Sequence, residues 1–366
     1  MERYFFRAIA VIAAAFLVAP QAFAQSDFPS FTHDVEAVPS VQSIETSAFS
    51  ECLILTEDTV LESDVPCIGV GNGVTIDLNG FTVNGHILPI GSGLSNDVTV
   101  QNGTVAGGAI ILGSGILLDH LTVRDYRAID PFAVQIRGGL IMHSLFERNI
   151  VAVDLFWGGG IQVRHCRFVE NRIGINIASD DNSLVLKNTF EANETGVRVW
   201  DEDLFRSSGS TIRGNHFRSN GIGVFLNAQN EAHGTDIDSN VFHSNLSSGI
   251  AVSLGCARVF SDECAGRGTV IRSNVMIRNG NEPRTLTGAW WISGSQSEPY
   301  EVILDDGLTV FAPQEFSPAD GATVISNVAN RNADLGIEAA GVVDGGGNRG
   351  ARNGDPLECV GVDCST

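Results

Sequence analysis

Apolar and polar residues alternate in short runs along most of the chain, and these runs recur at a regular spacing. The segments CRFVENRIGINI (166–177) and NTFEANETGVRV (188–199) each contain a Phe, an Asn three residues later, and then alternating aliphatic residues. Phe168 and Phe190 fill the same position in the two copies, 22 residues apart. Alternation over about three to five residues predicts β-strands, and the intervening Asn and Gly residues predict turns.

The pattern recurs in six copies that share three positions. The aromatic or apolar position is filled by Phe146, Phe168, Phe190, Phe217, Phe242 and Met276. The Asn position is filled by Asn149, Asn171, Asn193, Asn220, Asn245 and Asn279. Five residues before the aromatic position stand Ile141, Val163, Val185, Ile212, Ile237 and Ile271. A period of roughly 20–30 residues with short strands is typical of a solenoid, in which each strand lies parallel to its own copy. We therefore expect Asn ladders at the bends, because Asn tolerates left-handed backbone and its amide can bond to neighbouring copies.

These residues resemble the right-handed parallel β-helix repeat proteins of the pectate-lyase-like group. CLILTEDTVLESDVPC followed by VTIDLNGFTVNG is similar to the first turns of secreted bacterial members. GGGNRGARNGDPLECVGVDC is similar to their closing segment. The resemblance covers roughly residues 50–366 and implies an all-β, right-handed parallel β-helix of about ten or eleven coils with disulfide-pinned ends.

The N-terminal segment has the features of a secretory signal peptide. Arg3 and Arg7 give it a basic start, an apolar run follows at 8–19, and AFA ends at Ala24. This apolar run is too short to span a bilayer, so we expect cleavage after Ala24 and a secreted or periplasmic protein. No transmembrane segment is expected in the mature chain.

Departures from the period divide the remainder of the chain. We expect a polar leader at 25–48 and a single β-helix domain at 49–366. Within that domain we expect an N-terminal cap at 49–70, an inserted loop at 281–327 and a C-terminal cap at 337–366. Inserted loops in solenoids cluster on one face and often carry binding sites. A catalytic groove should therefore share its face with the 281–327 insertion.

Seven cysteines fall into three close pairs and one leftover residue. In an exported protein the pairs predict disulfides, namely Cys52–Cys67, Cys256–Cys264 and Cys359–Cys364. Cys166 occupies an apolar position of the repeat, so we expect a buried thiol rather than a nucleophile.

The charge balance limits the possible partners. The formal net charge is −21, with 22 Lys and Arg residues against 43 Asp and Glu residues. Nucleic acid is excluded, because phosphate binding needs a basic surface. A polyanionic substrate would need a local basic strip or a bridging cation. We expect a monomer whose partner is a polysaccharide or a cell-surface glycan.

One predicted outward row follows the Asn turns and carries candidate site chemistry. Its candidate catalytic residues are Asp130, Asp154 and Arg198. The candidate substrate-binding residues are Asn176 in this row, Trp200 two positions further along its strand, and Asp201 in the turn that follows. Asp180 and Asp181 are candidate Ca²⁺ ligands, Ca²⁺ being the one cofactor we consider. An Arg beside carboxylates could orient a uronate, and a Trp could stack on a sugar. A solvated polar face would produce the same pattern.

A second row contains three histidines at successive coils. His120, His143 and His165 each lie three residues before the aromatic or apolar position, and Lys187 continues the row. Stacked imidazoles could hold a metal ion or form a proton-transfer strip. They could also be an ordinary stack of exposed side chains.

The pectate-lyase-like group, which this sequence resembles, includes lyases, hydrolases, epimerases and proteins without known activity. YRAIDPF (126–132) partly matches a mannuronan epimerase run, but Phe132 stands where that run has His. Asp180–Asp181 imitate the paired Asp of polygalacturonase-like hydrolases, without the Gly-His-Gly and Arg-Ile-Lys that accompany it. Arg198 near Asp154 is compatible with the Arg base of a Ca²⁺-dependent lyase. The resemblance implies binding or processing of an acidic polysaccharide, lyase-like if catalytic. The alternative is a non-catalytic surface or matrix protein.

Overall fold

The computed structural model describes residues 51–91, 93–128, 132–156, 158–178, 182–200, 209–228, 234–254, 268–293, 296–311 and 321–366. Within these ranges every regular element is a β-strand. Strands are numbered in chain order, and three long stacks of parallel strands form sheets A, B and C. No helix of the described residues is long and apolar enough to cross a membrane. The predicted signal peptide and polar leader lie outside these residues.

Sheet A contains thirteen strands in the described part of the chain. They are β1 (Leu53–Leu55), β3 (Ile68–Val70), β6 (Ile87–Pro89), β8 (Ile110–Ile111), β10 (Phe132–Ile136), β13 (Val151–Phe156), β16 (Ile173–Ala178), β19 (Thr195–Trp200), β22 (Ile222–Ala228), β25 (Ser248–Leu254), β30 (Leu308–Phe311), β33 (Ile337–Ala339) and β36 (Cys359–Val360). Ten of them, β6 to β33, lie between residues 70 and 350, in line with the predicted number of coils.

Sheets B and C share two long strands, β7 (Thr99–Ala106) and β9 (Ile116–Arg124). Sheet B also contains β2 (Thr59–Val60), β4 (Thr75–Asp77), β11 (Gly139–Met142), β14 (Gln162–Arg164), β17 (Leu184–Leu186), β20 (Thr211–Arg213), β23 (Asp236–Asp238), β26 (Val270–Arg272), β31 (Thr323–Ile325) and β34 (Val343–Gly346). Sheet C also contains β5 (Thr82–Val83), β12 (Leu145–Glu147), β15 (Arg167–Val169), β18 (Thr189–Glu191), β21 (His216–Arg218), β24 (Val241–His243), β27 (Val275–Ile277), β32 (Val328–Asn330), β35 (Asn348–Ala351) and β37 (Cys364–Ser365). The remaining pair, β28 (Arg284–Ser293) and β29 (Gln296–Leu304), forms an antiparallel hairpin.

The repeat places the aromatic residues in one internal stack. The rings of Phe146, Phe168, Phe190, Phe217 and Phe242 are fully buried, with neighbouring centroids 4.7–4.9 Å apart and planes within 10° of parallel. Glycines at the start of the sheet A strands make room for these rings, because a Cβ on Gly174 would lie 2.9 Å from Cδ1 of Phe190. Together with the inward aliphatic residues, the stack forms a continuous core along the solenoid.

Two rows of buried Asn close the bends on either side of sheet C. One row contains Asn188, Asn215, Asn240, Asn274, Asn327 and Asn348. The other contains Asn149, Asn171, Asn193, Asn220, Asn245, Asn279, Asn332 and Asn353. Within each row the side-chain amide of one Asn donates to the side-chain oxygen of the next. The predicted Asn ladders are confirmed, and they satisfy buried backbone groups at the bends on either side of sheet C.

Cysteines secure both ends of the described solenoid. Cys52–Cys67 and Cys359–Cys364 are disulfides, as predicted. Cys166 is a buried free thiol that is 2% exposed, and burial raises its pKa to about 12, which fits the predicted structural role. The predicted Cys256–Cys264 pair lies outside the described residues.

Candidate functional site on sheet A

Four polar side chains form a hydrogen-bonded row on the outer face of sheet A. Gln135, Asp154, Asn176 and Arg198 occupy corresponding positions in β10, β13, β16 and β19. Nε2 of Gln135 donates to Oδ2 of Asp154 at 3.0 Å, and Nδ2 of Asn176 donates to Oδ1 of Asp154 at 2.8 Å. Nε of Arg198 donates to Oδ1 of Asn176 at 2.7 Å. The structure therefore brings three predicted site residues together.

The first member of this row differs from the prediction. The sequence placed Asp130 below Asp154, but β10 pairs Gln135 with Asp154. The coil containing β10 lacks the Phe and Asn anchors of the repeat, so the register could not be counted from them. Asp130 itself lies outside the described residues, as do Asp180, Asp181 and Asp201. The roles predicted for these four residues stay predictions.

The members of this row differ in how far their side chains are exposed to solvent. Asp154 is 1% exposed and Asn176 is 3% exposed, whereas Arg198 is only partly buried. A buried carboxylate needs hydrogen bonds to replace its hydration, and Asp154 receives them from two amides. The guanidinium is thus the member of the Asp154–Asn176–Arg198 chain that has access to solvent.

The inserted hairpin packs on the same sheet face, next to Arg198. Phe225 follows Arg198 on the outward row, and Ala251 follows Phe225. Leu286 and Val302 of the hairpin pack with both residues in a small apolar cluster that also contains Leu304. The hairpin therefore packs on the face of sheet A that carries Arg198, against the two following coils.

A second outward row lies two residues further along each strand. The backbone of Trp200 pairs with Ala178 and Asn227, and Asn227 pairs with Ser253. Oδ1 of Asn227 and Oγ of Ser253 are buried without a hydrogen-bond partner among the described residues. Unsatisfied buried polar atoms are rare in native proteins and are typical of sites that meet a ligand or water. The side chain of Trp200 is outside the described part of the structure.

The predicted histidine row lies at the bend between sheets B and C. His120, His143 and His165 have φ values of 52°, 49° and 55°, which place them in the left-handed region. The ring centroids of His120 and His143 are 4.9 Å apart, and those of His143 and His165 are 5.7 Å apart. These rings line a shallow surface groove that also includes Arg167. The predicted stacking of imidazoles on successive coils is therefore present.

Sequence reasoning missed the carboxylate beside this row. Oδ1 of Asp119 lies 2.9 Å from Nδ1 of His120 and 3.0 Å from Nδ1 of His143. The available sequence signal was the Asp-His dipeptide at 119–120, because the outward residue of a strand precedes the bend residue in every coil.

Sequence reasoning also missed an acidic cluster at the base of the hairpin. Carboxylate oxygens of Asp305, Asp306 and Asp334 lie within 4.8 Å of one another. Asp306 is fully buried and accepts hydrogen bonds from the backbone N–H of Leu335 and the hydroxyl of Thr309. Burial, followed by the charge of Asp305, raises the pKa of Asp306 to about 8. The cluster therefore holds a carboxyl that is protonated at neutral pH.

The family model described as right handed beta helix region matches residues 138–265. The described residues have the fold of a right-handed parallel β-helix. The match and the stacked sheets confirm the fold class predicted from the sequence. No curated protein shows significant sequence similarity to the chain.

Solved structures of similar fold are remote in sequence. A mutant of the periplasmic alginate epimerase AlgG is 13% identical, with a TM-score of 0.45; the similarity covers 79% of this β-helix protein and 60% of that chain. The A-module of the mannuronan C-5 epimerase AlgE6 from Azotobacter vinelandii is 12% identical, with coverages of 87% and 92% and a TM-score of 0.43. An alginate lyase from Paenibacillus sp. str. FPU-7 is 12% identical, with coverages of 84% and 98% and a TM-score of 0.38. The chain spans less than two thirds of this first AlgG mutant chain, and identities this low assign no activity.

Proposed function

We propose that this β-helix protein binds an acidic polysaccharide along the outer face of sheet A and that, if catalytic, it acts as a lyase. The observation that carries the proposal is the oriented guanidinium of Arg198, anchored by Asn176 on the face of sheet A where the hairpin packs. A guanidinium presents N–H donors in a planar fork that matches a carboxylate. A uronate is a sugar with such a carboxylate, so Arg198 supplies a basic group on this face of an acidic chain.

Within this proposal Asp154 is a positioning residue. It is 1% exposed and accepts hydrogen bonds from Gln135 and Asn176. Because Nδ2 of Asn176 donates to Oδ1 of Asp154, the amide oxygen of Asn176 is turned toward Nε of Arg198. The orientation of the guanidinium is therefore set before a ligand arrives, which lowers the entropy cost of binding.

A lyase reaction would use the same group. In β-elimination the proton beside the uronate carboxylate passes to a solvent base, and a double bond forms between that carbon and the next. The glycosidic carbon–oxygen bond on the next carbon breaks, and the departing oxygen takes a proton from water. Negative charge builds up on the carboxylate as the proton leaves. A fixed guanidinium stabilises that charge more in the transition state than in the ground state. Participation of Ca²⁺ through Asp180 and Asp181 remains part of the proposal.

The alternative is a non-catalytic glycan-binding or matrix protein. The carboxylate of the row is buried beneath its amide partners, which favours orientation over proton transfer. Under this alternative the same groove binds a polyuronate and releases it unchanged. The lyase proposal and the non-catalytic alternative both include export to the periplasm or the outside of the cell. Export is supported by the N-terminal sequence and by two disulfides.

The test is incubation of the mature chain with alginate, polygalacturonate and neutral glucans, with Ca²⁺ or with chelator. Ultraviolet absorbance reports unsaturated uronate, reducing ends report any cleavage, and calorimetry reports binding. Arg198→Ala should abolish binding to the uronate polymers. Arg218→Ala, which alters an exposed arginine on sheet C, is the matched control and should bind as the unchanged protein does. Binding without products would establish the alternative, and equal binding by both variants would refute the proposed groove.

A further inference from the structure

We propose that Asp119, His120 and His143 form a binding site for a divalent transition-metal ion of the zinc, copper or nickel class. One carboxylate oxygen lies about equally far from two imidazole nitrogens, at 2.9 Å and 3.0 Å. The three candidate ligand atoms all lie within 4.8 Å of one another. The site is on the bend between sheets B and C, so it is independent of Arg198 on sheet A.

The spacing suits one ion. Nitrogen and oxygen ligands lie about 2.0–2.2 Å from zinc, so two ligand atoms of a tetrahedral site are roughly 3.4 Å apart. The carboxylate–imidazole separations are within a few tenths of an ångström of that value. Small side-chain rotations would therefore place an ion between Asp119 and both imidazoles without backbone movement.

The backbone holds the two imidazoles in place. His120 and His143 occupy the same left-handed bend position in successive coils, with φ values of 52° and 49°. Asp119 ends the strand segment before the first bend, and its partner in the next coil is Met142. The site therefore joins two successive coils, one containing β9 and the next containing β11. Parallel pairing of these two strands already fixes the residues of the site in register. Preorganisation of this kind favours binding.

The donor set selects the class of metal. Imidazole suits zinc, copper, nickel and iron, whereas Ca²⁺ takes six to eight oxygen ligands. The side chains of His120 and His143 are 59% and 40% exposed, so an ion would be reached from solvent. Three protein ligands leave at least one coordination position for water or for a group of a second molecule.

The arrangement is local to these coils. The bend residue of the preceding coil is Asn102, and the row continues through His165 to Lys187. His165 stacks on His143, with centroids 5.7 Å apart and planes at 25°, and it is not a member of the ligand group. We therefore assign His165 a packing contact with the His143 ring and no place among the ligands.

The experiment uses the full mature chain after treatment with chelator. Calorimetric titration with Zn²⁺, Cu²⁺ and Ni²⁺ should show one site that excess Ca²⁺ does not displace. His120→Asn and His143→Asn each remove a ligand, so each should weaken binding by more than the ~10-fold to 100-fold typical of losing a residue that only orients a ligand. His216→Asn is the matched control, because His216 is an exposed histidine on sheet C outside the cluster, and it should leave the affinity unchanged.

A spectroscopic readout separates this site from adventitious binding. Co²⁺ bound by two imidazoles and a carboxylate gives visible absorption whose intensity reports low coordination number. That absorption should be lost in Asp119→Asn, and His165→Asn should preserve it. Circular dichroism of each variant checks that the β-helix is intact. Wild-type affinity in both His120→Asn and His143→Asn would overturn the proposal, as would loss of binding in His216→Asn alone. Neither result bears on polysaccharide binding by the Arg198 groove.

Discussion

Arg198 donates a 2.7 Å hydrogen bond from Nε to the side-chain oxygen of Asn176, one coil below it. The same Asn176 side chain donates to buried Asp154. The guanidinium is thereby connected to a buried carboxylate through a single amide. The orientation of the partly buried guanidinium of Arg198 therefore depends on Asn176, a residue that is itself 3% exposed.

Asn176→Ala should weaken binding of a uronate polymer by about tenfold, or about 1.4 kcal/mol. The substitution removes the acceptor for Arg198 Nε, so the guanidinium would lose its fixed orientation. Calorimetric affinity is the measurement, with unfolding midpoints recorded in parallel. Asn330→Ala, which alters a residue of sheet C, is the control and should change neither. An unaltered affinity in Asn176→Ala would contradict the positioning role.

Asn193→Ala should lower the free energy of unfolding by about 2–4 kcal/mol. The Asn193 oxygen accepts from the backbone N–H of Asn171, and its amide donates to the carbonyl of Phe168. Alanine would leave both backbone groups buried without partners. Urea denaturation measures the change. Asn281→Ala, which alters an exposed Asn, should cost less than about 0.5 kcal/mol, and equal costs would contradict the ladder's role.

Asp306→Asn should remove a pH dependence of stability. The folded pKa of Asp306 is about 8, against the ordinary value of 3.8 that describes the unfolded chain. Between these values the folded protein binds one proton more than the unfolded chain, so the free energy of unfolding falls as pH rises. The stabilising contribution is complete below pH 3.8 and is lost as pH approaches about 8.

Denaturant unfolding at about pH 5, 7 and 9 tests this dependence. The unchanged protein should lose stability across the series, whereas Asp306→Asn should show a flatter profile. A residual slope from Asp305 is expected, because burial and neighbouring carboxylates raise its pKa as well. Glu301→Gln, at an exposed position, should keep the original slope. Parallel profiles for all three proteins would exclude Asp306 as the source.

The repeat made the fold predictable. Phe168 and Phe190 are in ring contact, as the 22-residue spacing indicated, because one period is one coil. The same counting placed Asn176 between Asp154 and Arg198. Counting did not reach Gln135, since its coil lacks the anchors. It also could not show that Asp154 is buried, because burial depends on what covers the face.

The sequence did not predict where the hairpin packs, which residues surround Asp119, or the raised pKa of Asp306, and the reasons are related. The hairpin lies in a segment that has no repeat, so no ladder fixes where it packs. Asp119 became part of a site only through the approach of His143 from the next coil. The pKa of Asp306 is raised by burial first, and then by the charges of neighbouring Asp305 and of Glu338 from the next coil. Each of these features depends on distance between segments, which spacing along one chain does not supply.

The Asn ladder stays continuous although the number of residues between its members changes. Asn171 and Asn193 are 22 residues apart, whereas Asn279 and Asn332 are 53 apart, yet both pairs make the same amide hydrogen bond. Among the described residues of the longer interval, the hairpin β28–β29 leaves the coil just before sheet A strand β30, and the chain then rejoins the ladder in register. The spacing of the coils is therefore set by the ladder and not by the length of the segments between its members. New segments could be grafted beside Arg198, and specificity redesigned, while the ladder keeps the rest of the solenoid in place.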